Sequence, residues 1–134
     1  MELSLGSSDR PAARQPLVLV VDDNEDNLFL LTFLLEQLGC ALLTAPDGHT
    51  ALDLAQSYQP TLILLDIMLP DLDGLEVFSR LRQNPLTARI PVIAVTALAR
   101  QEDRDRILSA GCNEYVTKPF IIDELEVLLG SYLR

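Results

Sequence analysis

Three aspartates, a threonine and a lysine each stand at the end of a predicted strand: Asp22 and Asp23, Asp66, Thr96 and Lys118. Lys118 is the only lysine of the chain, since the other nine basic residues are arginines. Neighbouring carboxylates repel one another by about 1 kcal/mol per pair at 4 Å in water, and more strongly near a protein surface. Mg²⁺ balances such charge, because it binds carboxylates, water and phosphate oxygens. Brought together, these side chains would form a site suited to holding a phosphoryl group.

Each residue type predicts a different role at such a site. Asp66 follows the strand with the strongest signal for burial and is the candidate nucleophile, which would form an acyl phosphate. Asp22 and Asp23 are candidate metal ligands. Lys118 would neutralise developing charge, and Thr96 would hydrogen-bond a phosphoryl oxygen. Taken singly, each residue has an ordinary explanation, since Asp and Thr often cap helices. Their shared placement favours the functional interpretation.

Short apolar runs alternate with helical segments and predict five strands and five helices. Continuous apolar runs such as TLILL are typical of strands buried on both faces. The alternation requires parallel strands, right-handed crossovers and helices on both faces of the sheet. Ligands of such sheets bind outside the carboxyl ends of the strands. The predicted strands are 17–21, 40–45, 61–65, 91–95 and 114–117, and the predicted helices are 27–38, 47–58, 74–83, 99–110 and 121–133.

Length and charge limit the class of protein. A chain of 134 residues is expected to form one domain, here 17–134 after a flexible leader at 1–16, with no output domain after the last helix. The net charge of -10 disfavours direct binding to nucleic acid or to an anionic membrane surface. Cys40 and Cys112 lack metal-ligand spacing, and no signal peptide or membrane span is evident. These features predict a cytoplasmic protein.

Four segments, in this order, resemble the response-regulator receiver domain of two-component signalling: VDDNEDN, LLDIMLPDLDGLE, VIAVTA and GCNEYVTKPF. The resemblance spans about Leu17 to Leu133, almost everything but the leader. It implies an α/β fold of the flavodoxin-like (βα)5 type, with a five-stranded parallel sheet in the order 2-1-3-4-5. It also implies a signalling phosphoacceptor rather than an enzyme, one that assists its own phosphorylation and dephosphorylation.

The resemblance implies a phosphoacceptor and a metal site. Asp66 would receive a phosphoryl group from a histidine kinase or a histidine phosphotransfer protein, in a reaction that depends on Mg²⁺. Asp23 and Asp66 would bind the ion directly, and Asp22 would act through water. The backbone carbonyl of Met68 would be the third direct protein ligand.

The resemblance also implies a switch. Thr96 and Tyr115 would be its moving side chains, and Lys118 would contact the phosphoryl group. Phosphorylation would then alter the surface formed by helix 4, strand 5 and helix 5, which would signal to a downstream protein or relay the phosphoryl group onward. A cis peptide before Pro119 is implied as well.

Other interpretations compete with this one. A receiver-fold adaptor that is never phosphorylated would use the same fold only to bind partners, although the intact site argues against it. An aspartyl phosphatase is suggested by the DxDG segment that begins at Asp71, but such enzymes need that residue directly after a buried strand. A flavodoxin-type module is disfavoured because a carboxylate-lined crevice suits a flavin phosphate poorly. His49, the only histidine, is expected at the surface, away from the strand ends.

The first helix carries two phenylalanines outside its predicted apolar face. At 100° per residue, Phe29 and Phe33 fall on the side of Glu36, where they would be at least partly exposed. They are either an incidental or locally buried pair, or part of a surface on which a phosphodonor helix packs. The predicted inner face consists of Leu31, Leu34, Leu35 and Leu38.

Overall fold

Strands and helices alternate along the chain as the sequence predicts. The computed structural model describes residues 15–97 and 100–133. The strands are β1 (Leu17–Val21), β2 (Ala41–Ala45), β3 (Leu62–Asp66), β4 (Val92–Thr96) and β5 (Glu114–Thr117). The helices are α1 (Glu25–Gln37), α2 (Gly48–Tyr58), α3 (Gly74–Gln83), α4 (Gln101–Ser109) and α5 (Ile122–Leu133).

The five strands form one parallel sheet in the order β2-β1-β3-β4-β5, which confirms the predicted topology. In this register Asp66 pairs with Val95, and Thr96 pairs with Thr117. The carboxyl ends of β3, β4 and β5 therefore lie side by side. This alignment defines what we call the carboxyl edge of the sheet, and the opposite side is the amino edge.

The sheet separates two apolar cores, because successive side chains of a strand point to opposite faces. In β3, Ile63 and Leu65 pack with residues of α2, α3 and α4, whereas Leu62 and Leu64 pack with residues of α1 and α5. All five residues of β3 are buried. Helices on both faces thus explain the continuous apolar run of this strand.

Several element ends differ from the prediction by one or two residues. Helix α1 begins at Glu25 rather than at residue 27, because the side chain of Asn24 accepts a hydrogen bond from Asn27 N at 2.9 Å and caps the helix. Leu38 caps the carboxyl end of α1 and stays partly exposed, whereas the other three predicted inner leucines are buried. Asp66 and Thr96 are the last residues of β3 and β4 rather than the first residues after them.

Arg82, near the end of α3, joins three elements at the amino edge. Its Nη1 donates to Ile90 O at 2.8 Å, and its Nη2 donates to Asn113 Oδ1 at 3.3 Å. The same Asn113 oxygen accepts from Val92 N at 2.9 Å. The guanidinium also stacks over the ring of Phe78, 4.5 Å from its centroid. Arg82 therefore links α3 to the amino-terminal ends of β4 and β5.

The predicted leader falls almost wholly outside the described residues, which begin at residue 15. The predicted start of helix 4 at Ala99 is likewise outside them, and the described helix begins at Gln101. Within the described part of the chain, no helix has both the length and the apolar character needed to cross a membrane.

Candidate functional site

The carboxyl edge brings the predicted site residues together. Asp22 directly follows β1, Asp66 ends β3, Thr96 ends β4 and Lys118 directly follows β5. Asp22, Asp66 and Thr96 are buried, whereas Asp23 is exposed. One carboxylate oxygen from each of the three aspartates lies within 4.8 Å of the others. The edge is therefore a compact acidic cluster that is open to solvent on the side of Asp23.

Lys118 bridges two of the three carboxylates. Its Nζ lies 2.8 Å from Asp22 Oδ2, an ion-pair contact without hydrogen-bond geometry, and donates to Asp66 Oδ2 at 3.0 Å. Its backbone N donates to Thr96 O at 2.9 Å, which fixes the start of the loop after β5. The Lys118–Pro119 peptide is cis, as the resemblance implies.

Burial and charge alter the proton affinity of this cluster. Burial raises the pKa of Asp66, as does the nearby Asp22 charge, although hydrogen bonds from Met68 N and Lys118 oppose the shift. Burial alone would lower the pKa of Lys118, but its contacts with Asp22 and Asp66 outweigh that effect and raise it. Lys118 therefore stays charged at neutral pH.

The segment 67–73, which we call the β3–α3 loop, folds back tightly beside Asp66. Met68 N donates to Asp66 Oδ1 at 2.9 Å, Met68 forms a bridge with Asp73, and Gly74 N donates to Ile67 O at 2.9 Å. A Cβ at Gly74 would lie 2.5 Å from Ile67 Cα, so only glycine allows this approach. The backbone of Met68 is thereby held next to Asp66.

The donor set fits a hard divalent cation. Three carboxylates are balanced by one lysine that contacts only two of them, which leaves Asp23 and a net negative charge facing solvent. The available ligand atoms are oxygens, as Mg²⁺ prefers. An open cleft beside the cluster is lined by Asp23 between β1 and α1, by Met68 and Pro70 of the β3–α3 loop, and by Arg106 of α4.

The two predicted switch residues lie in neighbouring strands. Thr96 ends β4 and is buried, and its partner in β5, Thr117, is two residues from Tyr115. Tyr115 is half-buried against the core on the side of α2, α3 and α4. Arg104 of α4 stands over its ring, 5.4 Å from the centroid. Burial raises the pKa of the Tyr115 hydroxyl, which therefore stays neutral.

Phe29 and Phe33 are exposed on α1, by 75% and 55% of their surface. The possibility that they form a locally buried pair is therefore excluded. Both lie on the side of α1 opposite Leu31, Leu34 and Leu35, which face the sheet.

One carboxylate near the site was missed by sequence reasoning. Asp71, considered only as the start of a phosphatase-like motif, accepts hydrogen bonds from Gly48 N at 2.7 Å and His49 N at 2.9 Å. It lies in the β3–α3 loop, but it caps α2, an element 22 or 23 residues earlier in the chain. The sequence offers no local signal for such a contact, since Asp47 already provides the expected cap of α2.

Comparison with known proteins agrees with this geometry. The family model of the response regulator receiver domain matches residues 18–129. The polar-differentiation response regulator DivK of Brucella anthropi is 42% identical over 116 residues, which cover 87% of this chain and 94% of DivK.

Solved structures show the same likeness. The receiver domain of a sensor histidine kinase from Pseudomonas aeruginosa PAO1, solved with a magnesium ion coordinated in its active site cleft, is similar with a TM-score of 0.82 and 35% identity over 90% of this chain and 98% of that one. Chemotaxis protein CheY4 of Vibrio cholerae has a TM-score of 0.82 and 26% identity over 90% of this chain and all of its own. With one family model spanning nearly the whole described fold, the chain belongs to the response regulator receiver domain family.

Proposed function

We propose that this protein is a phosphoaccepting response regulator, in which Asp66 receives a phosphoryl group from a histidine kinase or a histidine phosphotransfer protein in the presence of Mg²⁺. One observation carries the proposal: Asp66 is buried at the carboxyl edge, 3.0 Å from the only lysine of the chain and beside Asp22 and Asp23. Two free buried cysteines fit the reducing cytoplasm, where we place the protein.

The transfer is a single displacement at phosphorus. A carboxylate oxygen of Asp66 forms the new O–P bond, and the P–N bond to the donor imidazole breaks, with its electron pair leaving on nitrogen. Lys118, already hydrogen-bonded to Asp66, neutralises charge on the phosphoryl oxygens. The hydroxyl of Thr96 donates to one of these oxygens.

Asp23, Asp66 and the Met68 carbonyl would hold the metal directly, and Asp22 would hold it through water. When bound, Mg²⁺ supplies positive charge that offsets the carboxylates and the phosphoryl oxygens. The exposed position of Asp23 supports this assignment, since the ion and the donor must both enter from solvent. The backbone of the β3–α3 loop presents Met68 next to Asp66.

The switch follows from the added charge. A phosphoryl group on Asp66 brings more negative charge and strong acceptor oxygens to a buried position. Thr96 moves toward it, and Tyr115 turns into the space that Thr96 leaves. Because Arg104 of α4 stacks on Tyr115, this turn alters the surface formed by α4, β5 and α5. That surface then binds a downstream protein, or the phosphoryl group is relayed onward.

The donor docks beside the site on α1. Phe29 and Phe33 give α1 an exposed apolar surface, and Glu25 and Asp26 in the first turn add negative charge at the amino end of the helix. A donor helix with apolar residues flanked by basic ones would complement this surface. Docking there would place the donor histidine near the open side of the acidic cluster.

Phosphoramidate with Mg²⁺ tests the phosphoacceptor directly, because it needs no partner protein. Wild type should gain the mass of one phosphoryl group, and Asp66→Asn should gain none. Asp53→Asn is the control, since Asp53 is an exposed aspartate of α2 and the change in charge is the same. Labelling of Asp66→Asn equal to wild type would overturn the assignment, and wild type that is never labelled would favour the unphosphorylated adaptor.

The metal requires a separate measurement. Mg²⁺ should bind wild type in a calorimetric titration and raise its melting temperature, and Asp23→Ala should remove both effects. An equal response of Asp23→Ala would contradict the proposed ligand set.

A further inference from the structure

The β3–α3 loop carries a carboxylate that points away from the acidic cluster. Asp71 Oδ1 accepts from Gly48 N at 2.7 Å and from Leu72 N at 2.8 Å. Its Oδ2 accepts from His49 N at 2.9 Å and lies 2.6 Å from His49 Nδ1. Both oxygens are therefore engaged, and three of the four contacts join the loop to the first turn of α2.

The amino end of a helix favours an anion, because its first N–H groups lack partners within the helix and carry partial positive charge. The bond from Gly48 N, with smaller contributions from His49 and Leu72, holds the pKa of Asp71 well below its usual range. Asp71 is thus a fixed negative charge at neutral pH. A carboxylate accepts only, so the contact with His49 Nδ1 requires a proton on that nitrogen.

Close packing reinforces this link. A Cβ at Gly48 would lie 3.1 Å from Leu72 Cβ and 2.8 Å from Val77 Cγ2, so the first turn of α2 rests directly on the loop and on α3. The same loop contains Met68, whose N is bonded to Asp66. The loop is therefore held from three sides: by β3 through Asp66, by α3 through Gly74, and by α2 through Asp71.

We propose that Asp71 is a positioning residue for phosphorylation: by anchoring the β3–α3 loop to the first turn of α2, it keeps the Met68 backbone beside Asp66 where the metal needs it. The inference rests on the proposed function. Helix α2 contributes no residue to the acidic cluster. By holding the β3–α3 loop through Asp71, it would nevertheless support Mg²⁺ binding. Asp71 itself touches neither the metal nor the phosphoryl group.

Calorimetric titration with Mg²⁺ tests this role. Asp71→Ala should weaken Mg²⁺ binding by about tenfold, the lower end of the effect of removing a group that orients a metal ligand. His49→Ala should weaken it less, because the three backbone N–H bonds to Asp71 remain. The rate of labelling by phosphoramidate should recover in Asp71→Ala as Mg²⁺ approaches saturation, since Asp66 and Lys118 are intact.

Asp47→Ala is the matched control. Asp47 also caps α2, through Thr50 N at 2.8 Å, but it belongs to α2's own cap and not to the loop. Its loss should lower the melting temperature and leave Mg²⁺ affinity at the wild-type value. If Asp47→Ala weakens binding as much as Asp71→Ala, the effect is one of general stability and the proposal is wrong.

The remaining outcomes separate this inference from the function on which it rests. Unchanged Mg²⁺ affinity in Asp71→Ala, with wild type binding normally, overturns the positioning role alone. Wild type that does not bind Mg²⁺ overturns both. If Asp71→Ala does not fold, the Mg²⁺ affinities of Asp71→Asn and His49→Ala are measured instead. Asp71→Asn keeps one acceptor oxygen but loses the charge. Wild-type affinity in both would then overturn the role.

Discussion

Lys118 shares one positive charge between two buried carboxylates. Removing either partner of a buried ion pair is strongly destabilising, because the remaining charge loses its compensation. Here the loss of Lys118 would leave Asp22 and Asp66 facing each other. Under the proposed function, Lys118 would therefore stabilise the fold as well as assist the phosphoryl transfer, and a bound metal would offset part of the carboxylate repulsion in its absence.

Lys118→Ala should lower the free energy of unfolding by about 3 kcal/mol in the presence of a chelator, the lower end of the cost of breaking a buried pair. Mg²⁺ should then raise the melting temperature of the variant by more than it raises that of wild type, since the ion replaces the missing cation. Labelling of Asp66 by phosphoramidate should persist, while the response of Tyr115 to phosphorylation weakens. Thermal unfolding with and without Mg²⁺ measures the first effect, and tyrosine fluorescence measures the second.

Arg80→Ala is the control for that comparison, because Arg80 forms an exposed pair with Glu76 at 2.9 Å. Such exposed pairs contribute only about 0.5 kcal/mol to the free energy of unfolding. Mg²⁺ should therefore raise the melting temperature of Arg80→Ala by as much as that of wild type. An equal gain from Mg²⁺ in Lys118→Ala and wild type would show that Lys118 does not balance the cluster.

At the scale of single residues, the sequence indicates which side chains share the carboxyl edge but not how they pair. Asp22, Asp66 and Lys118 are predictable members of the site, because parallel strands align their carboxyl ends. That Lys118 reaches both carboxylates, and that Asp71 turns to α2, depends on contacts between residues far apart in the chain. No local pattern encodes such distances.

Backbone packing limits the sequence where the β3–α3 loop meets Gly74, the first residue of α3. Gly74→Ala should destabilise the fold by roughly 1–3 kcal/mol, the usual cost of overpacking, because its Cβ would lie 2.5 Å from Ile67 Cα and 2.7 Å from Asp66 O. Neither backbone atom can move without displacing Asp66. The rate of labelling by phosphoramidate should therefore fall along with the melting temperature.

Gly39→Ala provides the matched control for this prediction. Gly39 has a φ of 84°, but an added Cβ would meet nothing within 4 Å. Backbone strain of about 1–2 kcal/mol should lower stability without slowing phosphorylation. Unimpaired labelling of Gly74→Ala would mean that the close approach of the loop does not position Asp66.

Helix α1 offers a test of donor docking. The donor for this test is a histidine phosphotransfer protein that phosphorylates wild type. Phe33→Ala should slow transfer from this donor by roughly tenfold, a typical loss for one buried interface aromatic. Its rate with phosphoramidate should stay at the wild-type value, because the acidic cluster is untouched. Leu86→Ala, which alters an exposed apolar residue before β4, is the control. Equal rates from the protein donor in Phe33→Ala and wild type would contradict docking at this position.

Element types were predictable from the alternation of short apolar runs with segments of helical length and composition, whereas element ends were not. The run DDNED, in which α1 begins, offers several possible caps, and the choice of Asn24 follows from its contact with Asn27 N. Strands β3 and β4 extend to Asp66 and Thr96 because their neighbours continue pairing to that level. The sequence shows where an apolar run ends, whereas the end of a strand is set by the last residue that pairs with a neighbouring strand.

In the whole molecule, the sheet places the two cysteines in different cores. Cys112 packs on the side of α2, α3 and α4, and Cys40 packs on the side of α1 and α5. The alternation of strands and helices was enough to predict a sheet covered on both faces. The strand order came only from the family resemblance, because periodicity does not say which strands are neighbours.

Thiol reactivity should report on global unfolding. Burial raises the pKa of Cys112 to about 11 and also raises that of Cys40, so both thiols are protonated and shielded at pH 7.5. A disulfide reagent should therefore label neither in the native protein and both in urea. Mg²⁺, by stabilising the folded state, should slow labelling further. Fast labelling of either thiol without denaturant would show that its core opens locally.

The links made by Arg82 differ in kind from the contacts that join the side chains at the opposite edge of the sheet. At the amino edge, an arginine holds α3 to the entries of β4 and β5 through a main-chain oxygen and an amide side chain, groups that phosphorylation and metal binding do not alter. At the carboxyl edge, the side chains of Asp22, Asp66 and Lys118 are held to one another by an ion pair and a charged hydrogen bond. If Asp66 is phosphorylated as proposed, the added charge changes contacts at the carboxyl edge, while the links of Arg82 keep the starts of β4 and β5 in place.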